Sequence, residues 1–566
     1  MRQTAYFYSI SSLILSYLLF EYFFIPYEAL AADEFVFARH ILDYTNSLPY
    51  RDFAPYKSVL GHYLLSIPLF FSHTLFNAIF YMKDEVALLN AACLALTCYW
   101  GAQLFNRTAV LLTILALLAN HSFLMYSTDL RVDMLAAWIC LFAALSVLQN
   151  RLSLGGILSG LAFLISQKTL WYIIAINGAM LICMLTIKPT FYTLRSCWRF
   201  NIAAAAIVLL YLACWSLITS PALVFSNFFY DAYIQAGIDF YLPIYLLCWQ
   251  MTLRYGPMLF LLWPITWLSL FFLSDNAAAN QKSVFTVYFA SIALLLFITY
   301  KQPFPYNFVL TVPAFFLLYA NFFSWLPNQV SKNKCYFLAG FFIITAIAFP
   351  FYKALKGSLK FNGSYQRTMT TLAAELLENE GDYIGGIPLI FTKEQPITGM
   401  KNLIGPQIEF ISTQDEKMRP LLLPSLYLSP TTTAKIIEDF ERASVKVLIT
   451  NYRINILPPA LKTYLFEHYQ HYYGSVYLYA PTIHASQLSF YLSFSGKYRI
   501  AAKTKTHVRI DGKYLRAGQI ITLKQGDHVT DAKTNYRLVL IPKVKMPLNP
   551  EFQEDNWLKM LKAIVA

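Results

Sequence analysis

Long apolar runs with few interrupting charges recur along the first two thirds of the chain, near residues 4–27, 86–105, 108–126, 132–148, 200–219, 246–273, 284–300, 304–325 and 335–352. Each is long enough to cross a bilayer as a helix. The stretch 153–187 is too long for one crossing and is interrupted by Ser166-Gln167-Lys168, so it reads as two short helices with a polar break at one membrane face. That predicts eleven spans. The run 58–80 is apolar enough to cross but carries His62, Pro68, Ser72 and His73. The excess of Lys and Arg on the cytoplasmic side decides its place. If it lies along the outer interface or re-enters, then Arg107, Arg151, the Lys188/Arg195/Arg199 loop, Lys282 and the Lys332/Lys334 loop all fall inside with Arg2. The outward parts are then 28–85, the turn near 127–133, the Lys168 break, 220–245, 300–306 and everything from about 353. The first run follows Arg2 without a small-residue cleavage site and is expected to be a retained span.

From about residue 353 the pattern changes. Ile387–Thr392 and Lys446–Thr450 read as short buried strands, Thr432–Arg442 and Pro459–Tyr469 as amphipathic helices, and Val476–Tyr479 as a further strand. After His484 apolar and polar residues alternate, with turn signals at Asp511-Gly512, Ala517-Gly518 and Gln525-Gly526, which predicts a compact all-β module. The expected organisation is a transmembrane domain over 1–352, with a first outer loop at 28–85, an α/β region over 353–483 and a β-rich module over 484–566. The fold class is a polytopic α-helical membrane protein with a soluble α/β plus all-β region.

Composition agrees with this division. Hydrophobic residues make up 57% of the 566, and charged residues only 13%. Residues 1–352 hold 17 Lys/Arg and 13 Asp/Glu, whereas 353–566 hold 27 and 18. The basic tail suits anionic lipid headgroups or an anionic glycan, and no arginine-rich motif points to nucleic acid. All eight cysteines precede residue 336, so the tail uses no disulfides, and no CxxC spacing occurs.

Charged residues gather on the expected outward face: Asp33, Glu34, Arg39, Asp43, Arg51, Asp52, Lys57, Asp129, Arg131, Asp133, Lys168 and Lys301. Ionisable residues at span ends are costly unless they have a partner or a function. Asp33-Glu34-Phe35-Val36-Phe37-Ala38-Arg39, followed by Pro49-Tyr50-Arg51-Asp52-Phe53, resembles the first outer loop of the GT-C glycosyltransferase superfamily. These are multi-span enzymes using polyprenyl-phosphate sugars, among them protein O-mannosyltransferases and the lipid A aminoarabinose transferase. Asp129-Leu130-Arg131-Val132-Asp133 resembles that family's second acidic site, with Asp133 the closest match. Gln167-Lys168 resembles its basic residue after two short helices. Lys301 through Tyr306, then Pro313, resembles its late motif. The resemblance covers roughly residues 1–350.

It implies a membrane enzyme that moves a sugar from a polyprenyl-phosphate donor to a lipid, glycan or protein acceptor, on the periplasmic face of a bacterial inner membrane. Asp33 matches the family's catalytic acid position, with Glu34 and Asp133 as further catalytic candidates. A carboxylate can take the proton of an incoming hydroxyl, and Lys57, Arg131, Lys168 and Lys301 could each stabilise the departing phosphate. Arg51, Asp52 and Tyr306 complete the substrate-binding candidates. Asp133 could orient an arginine or the acceptor, or form a buried salt bridge with Arg131. Some relatives place a Glu before the lysine that precedes the interfacial helix, where it helps hold a metal. Here that pair is Tyr56-Lys57, so a divalent metal ion is left open, with Asp52 or His62 as substitutes. The competing functions are a transporter or flippase of lipid-linked sugars and an inactive relative serving assembly or sensing.

Overall fold

The computed structural model describes residues 3–27, 29–53, 55, 59–71, 75–188, 190–229, 242–255, 263–268, 270, 277–301, 303, 305–329, 363–377, 380–397, 400, 430–451, 454, 457–502, 507–531 and 533–544. Tyr56, Lys57, the Lys332/Lys334 loop and the expected span 335–352 lie outside them. The chain divides into two compact units. One gathers the described residues of Met1–Glu28 and His40–Phe361, the other those of Ala29–Arg39 and Asn362–Lys559.

The first unit is helical: α1 (Gln3–Phe24), α2 (Ala32–Asn46), α3 (Val59–Leu65), α4 (Leu75–Leu104), α5 (Arg107–Leu118), α6 (His121–Tyr126), α7 (Asp133–Leu148), α8 (Leu152–Ile165), α9 (Leu170–Thr186), α10 (Leu194–Ile218), α11 (Pro221–Phe228), α12 (Leu242–Tyr255), α13 (Ala277–Ile298) and α14 (Val312–Gln329). The first turns of α2 belong to the second unit. Among the described residues, six helices are long and apolar enough to cross a membrane: Gln3–Phe24, Asn77–Leu104, Gln167–Thr186, Leu194–Ile218, Ala279–Ile298 and Tyr306–Leu326. Three apolar helices, α5, α7 and α8, are shorter.

Two of the apolar runs are divided. The run 58–80 divides into α3, a 3-10 turn at Ile67–Phe70 and the first turns of α4, which therefore starts well before residue 86. Pro68, which has no N–H to give, opens that 3-10 turn. The run 108–126 divides at Asn120, whose side-chain oxygen accepts from the amide of Phe123 at 3.1 Å and caps a new helix. The expected break between two short helices at Ser166-Gln167-Lys168 is present: Ser166 is extended, and Gln167–Thr169 form one 3-10 turn before α9.

Close helix packing in this unit rests on small residues, as it must where lipid gives apolar side chains no reason to prefer one another. Gly156 and Gly160, one helical turn apart on α8, face α10. A Cβ on Gly156 would stand 2.2 Å from the Phe200 carbonyl oxygen, and one on Gly160 2.6 Å from that of Ala204. Backbone cannot give way there. At Gly178 the obstacle is the tip of Ile292, 2.6 Å away, which can rotate.

Antiparallel neighbours sort the polar side chains of this unit to its two ends. At one end Gln149 Nε2 donates to Gln103 Oε1 at 3.0 Å, Lys282 Nζ to the Leu104 carbonyl at 2.6 Å, and the Phe191 amide to Gln281 Oε1 at 3.0 Å. At the other end lie the close of α1, the turn before α7, the break between α8 and α9, and the 3-10 turn Pro305–Thr311 that leads into α14. Between them packs a core that includes Trp138, Phe285, Phe289, Phe316 and Tyr319.

The second unit holds helices α15 (Gly363–Leu377), α16 (Pro430–Arg442) and α17 (Pro459–His468) with strands β1 (Asp382–Ile384), β2 (Val445–Ile449), β3 (Tyr469–Tyr473) and β4 (Val476–Tyr479) in the order β1-β2-β4-β3. β1 pairs parallel with β2, and the rest pair antiparallel. The strand expected over Ile387–Thr392 is instead a turn region. The Gln395 side-chain oxygen takes the amides of Gly385 and Gly386, and Tyr383 Oη donates to the Ile390 carbonyl. The apolar run is buried without entering a sheet.

Then follow β5 (Thr482–Ile483), β6 (Ser489–Leu492), β7 (Gly496–Ala501), β8 (His507–Ile510), β9 (Lys513–Arg516), β10 (Ile520–Leu523), β11 (Gly526–Val529) and β12 (Tyr536–Ile541). They form a sheet β10-β7-β12-β5 and the pairs β11-β6 and β8-β9. Asp511 and Gly512 take positive φ, 48° and 81°, at the tight β8–β9 turn. Asp511 also pairs with His528: Nδ1 to Oδ2 is 2.6 Å, while Nε2 meets the Lys524 carbonyl at 2.8 Å and the ring stacks on Phe490. Burial works against the imidazolium, but the Asp511 carboxylate and Lys524 carbonyl outweigh it and raise the His528 pKa. For Asp511 burial is likewise outweighed, by His528 and the Val529 amide, and the pKa falls.

Two predictions follow from this packing. Gly156→Ala lowers the melting temperature of the detergent-solubilised protein by several degrees, the cost of overpacking being about 1–3 kcal/mol, while Gly178→Ala stays near wild type. The raised His528 pKa contributes stability that is complete below 6.5 and lost as pH rises through the folded value. The lowered Asp511 pKa contributes stability that is present above 3.8 and lost as pH falls through the folded value. Unfolding of the second unit, followed by hydrogen exchange of β8–β11, is therefore slowest between those limits. Asp511→Asn flattens the profile.

Candidate active site

Asp133 opens α7 and is 2% exposed. Lys168, in the 3-10 turn between α8 and α9, brings its ammonium 3.0 Å from Asp133 Oδ2. Ser166 Oγ donates to the other carboxylate oxygen at 2.7 Å, and Lys168 Nζ gives a second hydrogen bond to Asn307 Oδ1 at 2.9 Å. The extended Ser166 is what turns these two side chains toward α7; a helix continuing through 166–169 would carry them around its barrel. The ring of Tyr300 lies 5.7 Å from the same ammonium.

Arg131 is held two residues before Asp133, in the buried turn Ser127–Val132. Its guanidinium lies 3.5 Å above the centroid of the Tyr306 ring and 3.8 Å from Asp129 Oδ2. A buried cation between an aromatic face and a carboxylate stays charged without water. Asp133 pairs with Lys168, a partner the sequence did not offer, because the polar break swings Lys168 onto the first residue of α7. Lys301 follows the end of α13 and is half-buried.

Arg51 and Asp52 pair with each other in an exposed turn, Nε to Oδ1 at 2.8 Å and Nη2 to Oδ2 at 2.9 Å. The Arg51 guanidinium and the Leu48 amide hold the Asp52 carboxyl down at about 2. Tyr50, in the same turn, takes φ 65° and seats its hydroxyl 3.0 Å from that of Tyr211. His62 is buried on α3, its ring 5.1 Å from that of Tyr44. Among the described residues no group of three His, Cys, Asp or Glu side chains could hold a metal ion.

Asp33 and Glu34 lie in the first turn of α2, where the helix dipole favours negative charge. They belong to the second unit. Glu34 is 2% exposed and its Oε2 accepts from the Ala31 amide at 2.7 Å, so it closes the start of its own helix. Asp33 is half-buried. Their segment is fastened to the rest of the second unit by Gln366, whose side-chain amide bonds both the amide and the carbonyl of Leu30 at 2.9 and 3.0 Å. Arg39 adds an ion pair with Glu394 at 2.9 Å.

Sequence reading missed Asn307, the residue after Tyr306, and took Ser166 only as part of the polar break. It also passed over Glu21, Tyr17 and Asn90, polar residues buried inside apolar helices, and that placement was itself the signal.

No protein-family model and no curated protein sequence matches the chain. Among solved structures, ArnT from Cupriavidus metallidurans bound to undecaprenyl phosphate is similar over 66% of this chain, with 13% identity and a TM-score of 0.45. The chain spans 65% of that protein's length. The Archaeoglobus fulgidus oligosaccharyltransferase in the apo form is similar over 91% of this chain and 76% of its own, with 11% identity and a TM-score of 0.46. AglB from the same archaeon, in complex with an inhibitory peptide and a dolichol-phosphate, gives 11% identity and a TM-score of 0.44 over the same shares. All are GT-C superfamily glycosyltransferases.

Removing one member of a buried ion pair strands the other charge, at a cost of about 3–5 kcal/mol. Asp133→Asn and Lys168→Met each lower thermal stability strongly. The double variant Asp133→Asn/Lys168→Met recovers part of the loss, and thermal unfolding of the three purified variants checks this.

Proposed function

We propose that the chain is a multi-span glycosyltransferase that moves a sugar from a polyprenyl-phosphate donor to a lipid, glycan or protein acceptor. The observation that carries this reading is the cluster of Arg131, Asp133, Lys168 and Asn307 at one end of an apolar helical unit, in which all but the half-buried Lys168 are buried. Charges that expensive are kept for a purpose. The order of the Asp33, Asp133, Lys168 and Lys301–Tyr306 motifs along the chain supports it independently.

In the proposed reaction the bond from the anomeric carbon to the phosphate oxygen breaks as the acceptor oxygen bonds that carbon. Asp33 takes the proton of the attacking hydroxyl. Negative charge grows on the departing phosphate and is met by Arg131 and Lys168, with Lys57 and Lys301 as further cations. Asp133 and Asn307 hold the Lys168 ammonium in place and Ser166 holds Asp133, so little reorganisation is needed as the charge develops. Tyr306 covers one face of Arg131. Glu34 is assigned to shaping α2, and the Arg51–Asp52 pair to shaping the loop before α3. The reading includes eleven spans, with the site and the second unit on the periplasmic face of a bacterial inner membrane. A transporter would concentrate its buried charges near mid-depth, where substrate changes sides; these gather at one end.

A general base supplies roughly 10²–10⁴-fold. Asp33→Asn should therefore lower sugar transfer from radiolabelled polyprenyl-phosphate sugars to a membrane extract by about that factor, with donor binding retained. Glu34→Gln, whose amide oxygen can still accept from Ala31, should keep most of the activity. Equal transfer by wild type and Asp33→Asn would remove Asp33 from the mechanism. Donor binding without transfer by any variant, with acceptor present, would favour transport.

A further inference from the structure

The turn that carries Arg131 is gripped by a second polar network, whose hub sits inside an apolar helix. Asn90, in the middle of α4 and 2% exposed, uses its whole side chain. Its amide donates to Tyr17 Oη at 3.1 Å and to the Ser127 carbonyl at 2.8 Å, and its oxygen accepts from Trp138 Nε1 at 2.8 Å. Tyr17 on α1 is 2% exposed and shares a hydrogen bond with Ser127 Oγ at 3.1 Å. One residue further, Thr128 Oγ1 donates to Glu21 Oε2 at 3.4 Å. Ser127 and Thr128 are fully buried and open the turn that places Asp129 and Arg131. The turn is tight, the Arg131 amide reaching the Asp129 carbonyl at 2.6 Å.

Packing alone does not require this. The neighbours of Asn90 on α4 are met by apolar side chains along most of the helix, and a polar hub in such surroundings is costly unless every group is satisfied. What the hub adds is direction: Trp138 on α7 holds Asn90, Asn90 on α4 holds the Ser127 carbonyl, and Tyr17 on α1 meets the Ser127 hydroxyl. The guanidinium four residues on is thereby set over the Tyr306 ring.

We propose that Asn90, with Tyr17, is a positioning residue for Arg131, fixing the guanidinium where the donor phosphate meets it. This rests on the reading that Arg131 binds that phosphate. The two residues act through the turn and touch neither donor nor acceptor.

The test is a double-mutant cycle on binding of a radiolabelled polyprenyl phosphate to the full-length protein in nanodiscs, with thermal stability measured alongside. Arg131→Ala is expected to weaken binding about tenfold, the loss of one charge-assisted contact. Asn90→Leu is expected to weaken it about fivefold and Tyr17→Phe about twofold. Because both act through Arg131, Asn90→Leu/Arg131→Ala should bind no more weakly than Arg131→Ala alone. A purely structural hub would instead give losses that multiply, to about fiftyfold in the double variant. That outcome, or wild-type affinity in both Asn90→Leu and Tyr17→Phe, overturns the proposal and leaves the glycosyltransferase reading standing. If Asn90→Leu does not fold, Tyr17→Phe, which removes a single hydroxyl, carries the same cycle. Wild-type protein that does not bind polyprenyl phosphate overturns the functional reading, and this inference with it.

Discussion

A lysine ammonium 3.0 Å from an aspartate, both enclosed by apolar helices, constrains much of the first unit. Either charge alone would cost several kcal/mol in such surroundings, so the backbone must bring them together and satisfy what remains. Three interruptions of helix do so. The chain breaks at Ser166, which frees Lys168 and supplies a hydroxyl to the second carboxylate oxygen. Helix α7 begins at Asp133. The 3-10 turn Pro305–Thr311 presents Asn307 to the ammonium. A straight helix at any of the three would leave a buried charge without its partner.

The same arrangement gives the unit its polarity. Tyr17 and Asn90 hold the turn before α7, the turn holds Arg131 over Tyr306, and Asp133 holds Lys168, so a buried and a half-buried cation are fixed at one end by contacts that run back into the bundle. The opposite end carries Lys282 and Gln149 in bonds to the last turn of α4 and Gln281 in a bond to the loop before α10, a pattern of helix ends tied down. A preformed cationic pair whose orientation is set in advance suits an anion that grows during reaction more than one that is only bound. Asp33, in contrast, depends on the second unit, through the Gln366 clamp on Leu30 and the Arg39–Glu394 pair.

The sequence made visible what depends on neighbours along the chain. A polar triplet inside a long apolar run announced the break at Ser166–Lys168, and an acidic residue opening an apolar run announced the start of α7. The partners were not visible, because they are remote: Lys168 and Asn307 are 139 residues apart, and Tyr17 and Ser127 are 110 apart. For the same reason Lys168 was not among the partners considered for Asp133. The strand expected at Ile387–Thr392 gave way to side-chain contacts within the segment, since Gln395 captures the amides of Gly385 and Gly386 and Tyr383 bonds the Ile390 carbonyl, folding the apolar run into a turn. Asn120 shows the opposite case, a short-range cap that a scan for hydrophobicity passes over.

The central claim is that the buried cations receive the phosphate of a polyprenyl donor, and the most direct measurement is an experimental structure of the full-length protein in nanodiscs with a polyprenyl phosphate bound. The account predicts phosphate oxygens within hydrogen-bonding distance of the Arg131 guanidinium or the Lys168 ammonium, with Asp133 still paired to Lys168. Phosphate bound elsewhere, with Arg131 and Lys168 still closed on Tyr306, Asp133 and Asn307, would contradict it.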